Sequence, residues 1–164
     1  METPLGMIAR GPTITKEHVV IVSKREDGEW FSRGLADVFP LTSLGWFDFA
    51  GARGPDARKA GPKALELPSL PLNTVRRVIV AKAAIASGCT VAEMAHRAVR
   101  KYRAKELVIA GAFYTERGLN EVWADLPYAE FYVIGKPDTL NPELLLVPGV
   151  GMLSDRLGVS APRR

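Results

Sequence analysis

The chain has 164 residues, 47% of them hydrophobic and 24% charged, with 22 Lys and Arg against 18 Asp and Glu for a net +4. That length and balance describe one globular domain, expected over residues 1–164, and exclude disordered, collagen-like and low-complexity classes. No apolar run approaches the ~20 residues of a membrane-spanning helix, and Met1-Glu2-Thr3-Pro4-Leu5 lacks the layout of a signal peptide. With one cysteine, Cys89, and two histidines, an intramolecular disulfide is excluded and a Cys/His metal site is not expected. The expectation is a cytoplasmic protein with no resident metal and no contact with a membrane.

Residues 1–16 read as an irregular lead-in broken by Gly6, Gly11 and Pro12. His18 to Val22 reads as a buried strand, Arg25-Glu26-Asp27-Gly28 as a turn, and Trp30 to Phe39 as a short helix with Phe31, Leu35 and Val38 on one side. A second strand is expected at Trp46 to Ala50. Gly51 to Pro71, with seven glycines and prolines among its residues, reads as a flap-like loop, either hairpin or lid.

The clearest unit follows. Val75 to Ala81 is a strand, and Ala86-Ser87-Gly88-Cys89 is a tight turn. A helix opens at Thr90, where Thr90-x-x-Glu93 has the form of a capping box. Val91, Met94, Ala95, Ala98, Val99 and Tyr102 recur at helical spacing on one face. Leu107 to Phe113 is apolar on both parities, as a strand buried on both faces must be. A helix at Glu116 to Leu126 and a strand at Phe131 to Ile134 repeat the pattern. The expected fold is α/β, a parallel central sheet flanked by helices.

Two stretches suit chemistry. At the Ala86–Thr90 junction a helix N-terminus presents unpaired amides and the positive end of its dipole, and small residues let a phosphate approach the backbone. An ordinary strand-to-helix turn has the same look, and the residues alone leave both readings open. Val147-Pro148-Gly149-Val150-Gly151, followed by Asp155-Arg156, can expose backbone groups to a flat ligand, although a tail turn is the commoner use of such a pattern. The basic run Arg97, Arg100, Lys101, Arg103 and Lys105 reads as the solvated end of a helix. No aromatic residue interleaves on that face of the helix, so nucleic acid is the less favoured partner. Cys89 reads as a plain small residue, His96 as solvated, and Trp123 and Phe131 as core.

Taken in order, these pieces resemble the uracil phosphoribosyltransferases, of the type I phosphoribosyltransferase fold. That family's phosphoribosyl loop runs approximately V-D-P-M-L-A-T-G-G-S, and Ala81 to Thr90 here reads A-K-A-A-I-A-S-G-C-T. Its closing L-N-x4-I-V-P-G-L-G-D-A-G-D-R stretch resembles Leu140-Asn141 and Val147 to Arg156. Tyr114 to Leu119 is similar to its A-P-E-G-I turn, and Gly45 to Arg53 to its G-x4-R-D segment. The similarity spans about Glu17 to Ser160, so the chain is expected to start partway into the family's pattern.

The resemblance implies a 5′-phosphate cradle at Ala86, Ser87, Gly88, Cys89 and Thr90, with Lys82 and Arg53 toward phosphate or pyrophosphate. It implies a base-recognition loop at Val147, Pro148, Gly149 and Gly151. Arg25 falls where the family's pyrophosphate loop reads R-A-G. The implied ligand is phosphoribosyl pyrophosphate (PRPP) or a pyrimidine nucleotide, with Mg²⁺ if PRPP is used, and the implied assembly is a homodimer. The departures concern charge. Lys82 stands where the family carries an acid that holds the ribose hydroxyls, and an ammonium can only donate. Cys89 replaces a glycine, Met152 an aspartate beside the metal, and Gly54 another aspartate. Two readings follow: transfer of ribose 5-phosphate to a pyrimidine base, or a nucleotide sensor or dimeric scaffold that no longer catalyses.

Overall fold

The computed structural model describes residues 18–71 and 73–149. The lead-in at 1–16 and the tail beyond Gly149, with Gly151, Met152, Asp155 and Arg156, lie outside the described residues. Strand β1 (His18–Lys24) leads into a helical segment α1, built of an α-turn Arg25–Asp27, a π-helical Gly28–Ser32 and an α-helical Arg33–Ala36. Next come β2 (Thr42–Asp48), α2 (Gly54–Ala60), β3 (Ala64–Glu66), β4 (Val75–Ala81) and the short β5 (Ala84–Ile85). The chain continues through α3 (Cys89–Tyr102), β6 (Glu106–Gly111), β7 (Phe113–Tyr114), α4 (Glu116–Asp125), β8 (Glu130–Val133), β9 (Thr139–Leu140) and β10 (Leu146–Val147).

Six strands form one sheet in the order β3-β2-β1-β4-β6-β8. All neighbours are parallel except β3, which runs antiparallel to β2 at the edge. Side-chain alternation divides the core. Val19 and Ile21 of β1, Ile79 and Ala81 of β4, and Val108 and Ala110 of β6 pack with Phe31 and Leu35 of α1. Val20, Val22, Val78, Val80, Leu107 and Ile109 pack on the other face with α2, α3 and α4. Both parities are apolar because both faces are covered. This is the α/β fold with a parallel central sheet that the sequence implies.

Several local expectations are corrected. Arg25 to Asp27 is helical, not a turn. β2 starts at Thr42, four residues before Trp46, because Val19 and Val20 pair with Thr42 and Ser43. Val38 lies past the end of α1 and is 41% exposed. Gly51 to Pro71, expected as a loop, carries the helix α2 and the edge strand β3. Pro55 near the start of α2 supplies a preset φ, Ala57 is fully buried, and β3 pairs with β2. The capping box does not form: α3 opens at Cys89 behind Gly88, with no side-chain cap. Glu93 instead accepts from Arg97 one turn on. Trp123 is 58% exposed, since Val122 takes the inward position on α4. Phe131 does pack against the core, and His96 is exposed, 3.8 Å from Asp125. In the basic run, Lys101 donates to the Leu67 carbonyl.

β4 and β6 are also tied by charge at their start. Arg76 and Arg77 donate to the two oxygens of Glu106 at 2.7 and 2.8 Å. Burial pushes the Glu106 carboxyl up, but the two guanidiniums outweigh it and hold the group below its ordinary 4.5. The stability this contributes is present above that ordinary value and is lost as pH falls through the lowered one. Glu106→Gln is expected to cost about 1 kcal/mol at neutral pH, a small figure because the cluster is partly solvated. Urea unfolding of the two proteins at neutral pH and in acid checks this, and the difference should vanish in acid.

Candidate functional site

The sheet order places a reversal between β1 and β4. From β1 the chain crosses to β2 on one side, and from β4 it crosses to β6 on the other. In an open parallel sheet, ligands occupy the crevice outside the carboxyl ends of the strands at such a reversal. Two segments border this crevice: Lys24 to Gly28, leaving β1, and Lys82 to Gly88, leaving β4.

The second segment is held along its length. Lys82 N donates to Ala110 O, Ala112 N and Phe113 N donate to Ala83 O, and Thr115 N donates to Ile85 O. Thr115, 2% exposed, then closes the structure with its hydroxyl. Its Oγ1 donates to Ala86 O at 2.6 Å and accepts from Gly118 N at 2.8 Å, so it is also the N-cap of α4. Gly88 takes the left-handed conformation, φ 78°, and a Cβ there would lie 2.3 Å from Gly118 O. A Cβ on Gly118 would in turn lie 2.3 Å from Ala86 O. The loop and the first turn of α4 thus touch backbone to backbone. Beyond Gly88, the first amides of α3 have no acceptor within the helix. Ser87 and Thr90 are half-buried there, and Cys89 is buried with its Sγ 3.9 Å from Ser87 O.

The other sequence-derived positions gather around this loop to different degrees. Arg53, exposed, is the N-cap residue of α2. A Cβ on the next residue, Gly54, would lie 2.6 Å from Leu144 Cδ1 and 3.9 Å from Ser87 Oγ. The start of α2, the phosphate-type loop and the β9–β10 hairpin therefore meet. The hairpin is fixed by Thr139 Oγ1 donating to Val147 O and by Leu145 N donating to Asn141 Oδ1, at 2.9 and 2.8 Å. Val147 and Pro148 are exposed at its end, joined by a cis peptide bond, and Gly149 follows with φ 54°. On the far side of Cys89, a groove of about 280 Å³ is lined by Pro55, Arg58, Lys59, Cys89 and Glu121. Arg58 is tied across it to Glu121, at 2.7 Å, and to Asp125.

Lys82 is withdrawn from solvent, whereas Arg25 is exposed but ion-paired. Lys82 Nζ lies 3.2 Å from Asp27 Oδ2, with side chains 17% and 11% exposed. Arg25 Nη2 donates to Glu66 of β3, and Lys24 Nζ lies 3.5 Å from Glu26 Oε2. Ser23 Oγ and Ser32 Oγ are buried without a hydrogen-bond partner among the described residues, and the buried Asp27 Oδ2 meets Lys82 as an ion pair but outside hydrogen-bond geometry. Sequence reasoning gave Asp27 no role at the site, and Thr115 and Gly118 entered it only within the Tyr114–Leu119 resemblance. A threonine directly before Glu116 was the available signal for Thr115. Asp27 gave none, because its partner follows a strand far along the chain.

The family model described as uracil phosphoribosyltransferase matches residues 1–157. A uracil phosphoribosyltransferase of Pyrobaculum islandicum is 29% identical over 159 residues, covering 95% of this chain and 73% of that protein. One from Thermococcus gammatolerans is also 29% identical, covering 95% of this chain and 68% of its own length. The structure of the AQ2163 protein from Aquifex aeolicus superposes with a TM-score of 0.70 at 23% identity, over 92% of this chain and 70% of that one, which shows the shared fold. Among the described residues no helix is long and apolar enough to cross a membrane. With a match that runs through the pinned loop and the hairpin alike, the chain belongs to the uracil phosphoribosyltransferase family.

Proposed function

We propose that the chain binds the 5′-phosphate of a pyrimidine nucleotide or of PRPP on the Ala86–Thr90 loop, as one phosphoribosyltransferase-like domain. The observation that carries this is the loop itself: it opens α3 at the carboxyl edge of the sheet and is held from behind by Thr115 and Gly118. A rigid loop at a helix start suits an anion, because its amides need no rearrangement to receive one. Arg53 supplies charge at the neighbouring helix start. Val147, Pro148 and Gly149 offer backbone groups to the base. Ribosyl transfer on this frame would proceed by positioning and charge stabilisation of an oxocarbenium-like transition state, with no catalytic side chain assigned. A homodimer in the cytoplasm is the setting that goes with this reading.

Mg²⁺, if PRPP is used, would be held mainly by the ligand's own phosphate oxygens. Among the described residues no group of three His, Cys, Asp or Glu could hold a metal. A magnesium ion in such sites takes one or two carboxylates together with phosphate oxygens. Lys82 replaces the acid on the loop, and Asp27 is already paired with it. The same pair favours a second reading, a nucleotide sensor without turnover.

Calorimetric titration with uridine 5′-monophosphate (UMP), PRPP with Mg²⁺, and inorganic phosphate tests the proposal, followed by a uracil-conversion assay on the same sample. Binding with turnover supports the transferase. Binding without turnover supports the sensor. No binding of any of the three rejects the phosphate site.

A further inference from the structure

We infer that the Lys82–Asp27 pair makes this a site for a single phosphate, one that accepts a nucleoside 5′-monophosphate and disfavours a ribose bearing pyrophosphate. The inference rests on the phosphate-binding reading above. The crevice at the sheet's reversal lies between the ends of β1 and β4, and this pair spans it, Nζ to Oδ2 at 3.2 Å. A pyrophosphate group needs a local excess of positive charge. The cations here are already answered: Lys24 by Glu26, Arg25 by Glu66, and Lys82 by Asp27. Of these pairs, only Lys82 and Asp27 are both largely withdrawn from solvent. A pyrophosphate entering between the strand ends would also meet the Asp27 carboxylate, and like charges placed together at an interface repel. The amides at the start of α3 lie at the far end of the Lys82–Gly88 segment, beyond the part that Thr115 and Gly118 hold. A single phosphate there is not brought between the strand ends. Lys82 thus acts as a counter-ion to its own chain, and Asp27 sets the selectivity.

The test is titration of the full chain, Asp27→Asn and Asp27→Ser with UMP, PRPP and inorganic pyrophosphate, each with and without Mg²⁺. A thermal melt of each protein reports that it is folded, and the serine variant serves if the asparagine one does not fold. The full chain should bind UMP at least about tenfold more tightly than PRPP. Loss of the Asp27 charge should raise affinity for PRPP and pyrophosphate about tenfold, while UMP changes by less than about twofold. If the full chain binds PRPP as tightly as UMP, or if folded Asp27 variants leave the ratio unmoved, the inference is overturned and the phosphate site still stands. If none of the three proteins binds any phosphate ligand, the phosphate site fails and the inference with it.

Discussion

Gly88→Ala is expected to lower stability by about 3 kcal/mol, a melting-temperature drop on the order of 10 °C, and to weaken UMP binding by more than about tenfold. Two costs add. An alanine must hold φ near 78°, where an L side chain is disfavoured by about 1 kcal/mol or more. Its Cβ must also sit where Gly118 O already is, 2.3 Å away, and that oxygen belongs to backbone capped by Thr115. Neither group can rotate aside, so the loop or α4 must shift. Gly118→Ala should behave alike, because its Cβ would strike Ala86 O at the same distance. Gly34→Ala is the control, since a Cβ there meets nothing within 4 Å. A Gly88→Ala protein that melts with the parent and binds UMP equally would show that the loop does not rest on α4.

The second large effect is an asymmetry. Lys82→Met should cost about 2–4 kcal/mol, whereas Asp27→Asn should cost about 1 kcal/mol or less. Both changes delete the same ion pair, at 3.2 Å. They leave different residues behind. Without Lys82, a carboxylate with an oxygen buried and short of hydrogen bonds keeps its charge with nothing to oppose it. Without the Asp27 charge, the lysine has a four-carbon stem that can carry its ammonium into the open crevice. Chemical denaturation of the two variants and the double variant decides the matter. Equal costs for the two single changes would mean that the pair is solvated and that Asp27 is not the vulnerable partner.

The parallel core was legible because burial on both faces leaves a plain trace. Val78-Ile79-Val80 and Leu107-Val108-Ile109 have no polar parity, and few other elements look like that. The start of β2 was not legible, since Thr42-Ser43-Leu44-Gly45 becomes strand through pairing with β1 and not through its own composition. The helix Gly54–Ala60 was hidden by glycine and proline that read as loop, although proline near a helix start and glycine after its end are ordinary boundary residues. Thr90 and Glu93 misled because the close approach of Gly88 to Gly118 sets where α3 begins, and a tertiary contact overrides a local cap. For the site, the phosphate-type loop was visible from its small residues. Its charge state was not: Lys82 looks like a free cation until the adjacency of β1 and β4 brings Asp27 beside it.

The strand order also bears on how the chain is made. β1 needs β4 to complete its pairing, yet β2, α2 and β3 are synthesised between them. At ~5–20 residues per second of translation, β1 spends seconds as a segment apolar on both sides with one flank unpaired. Parallel pairings of this separation form slowly even in the complete chain, because a long loop must close before any contact rewards it. The nascent chain therefore passes through an aggregation-prone interval that ends only when Val75–Ala81 is available. His18 and Lys24, at the two ends of β1, place polar residues on both sides of the exposed core segment, where gatekeepers against edge-to-edge association stand in other proteins.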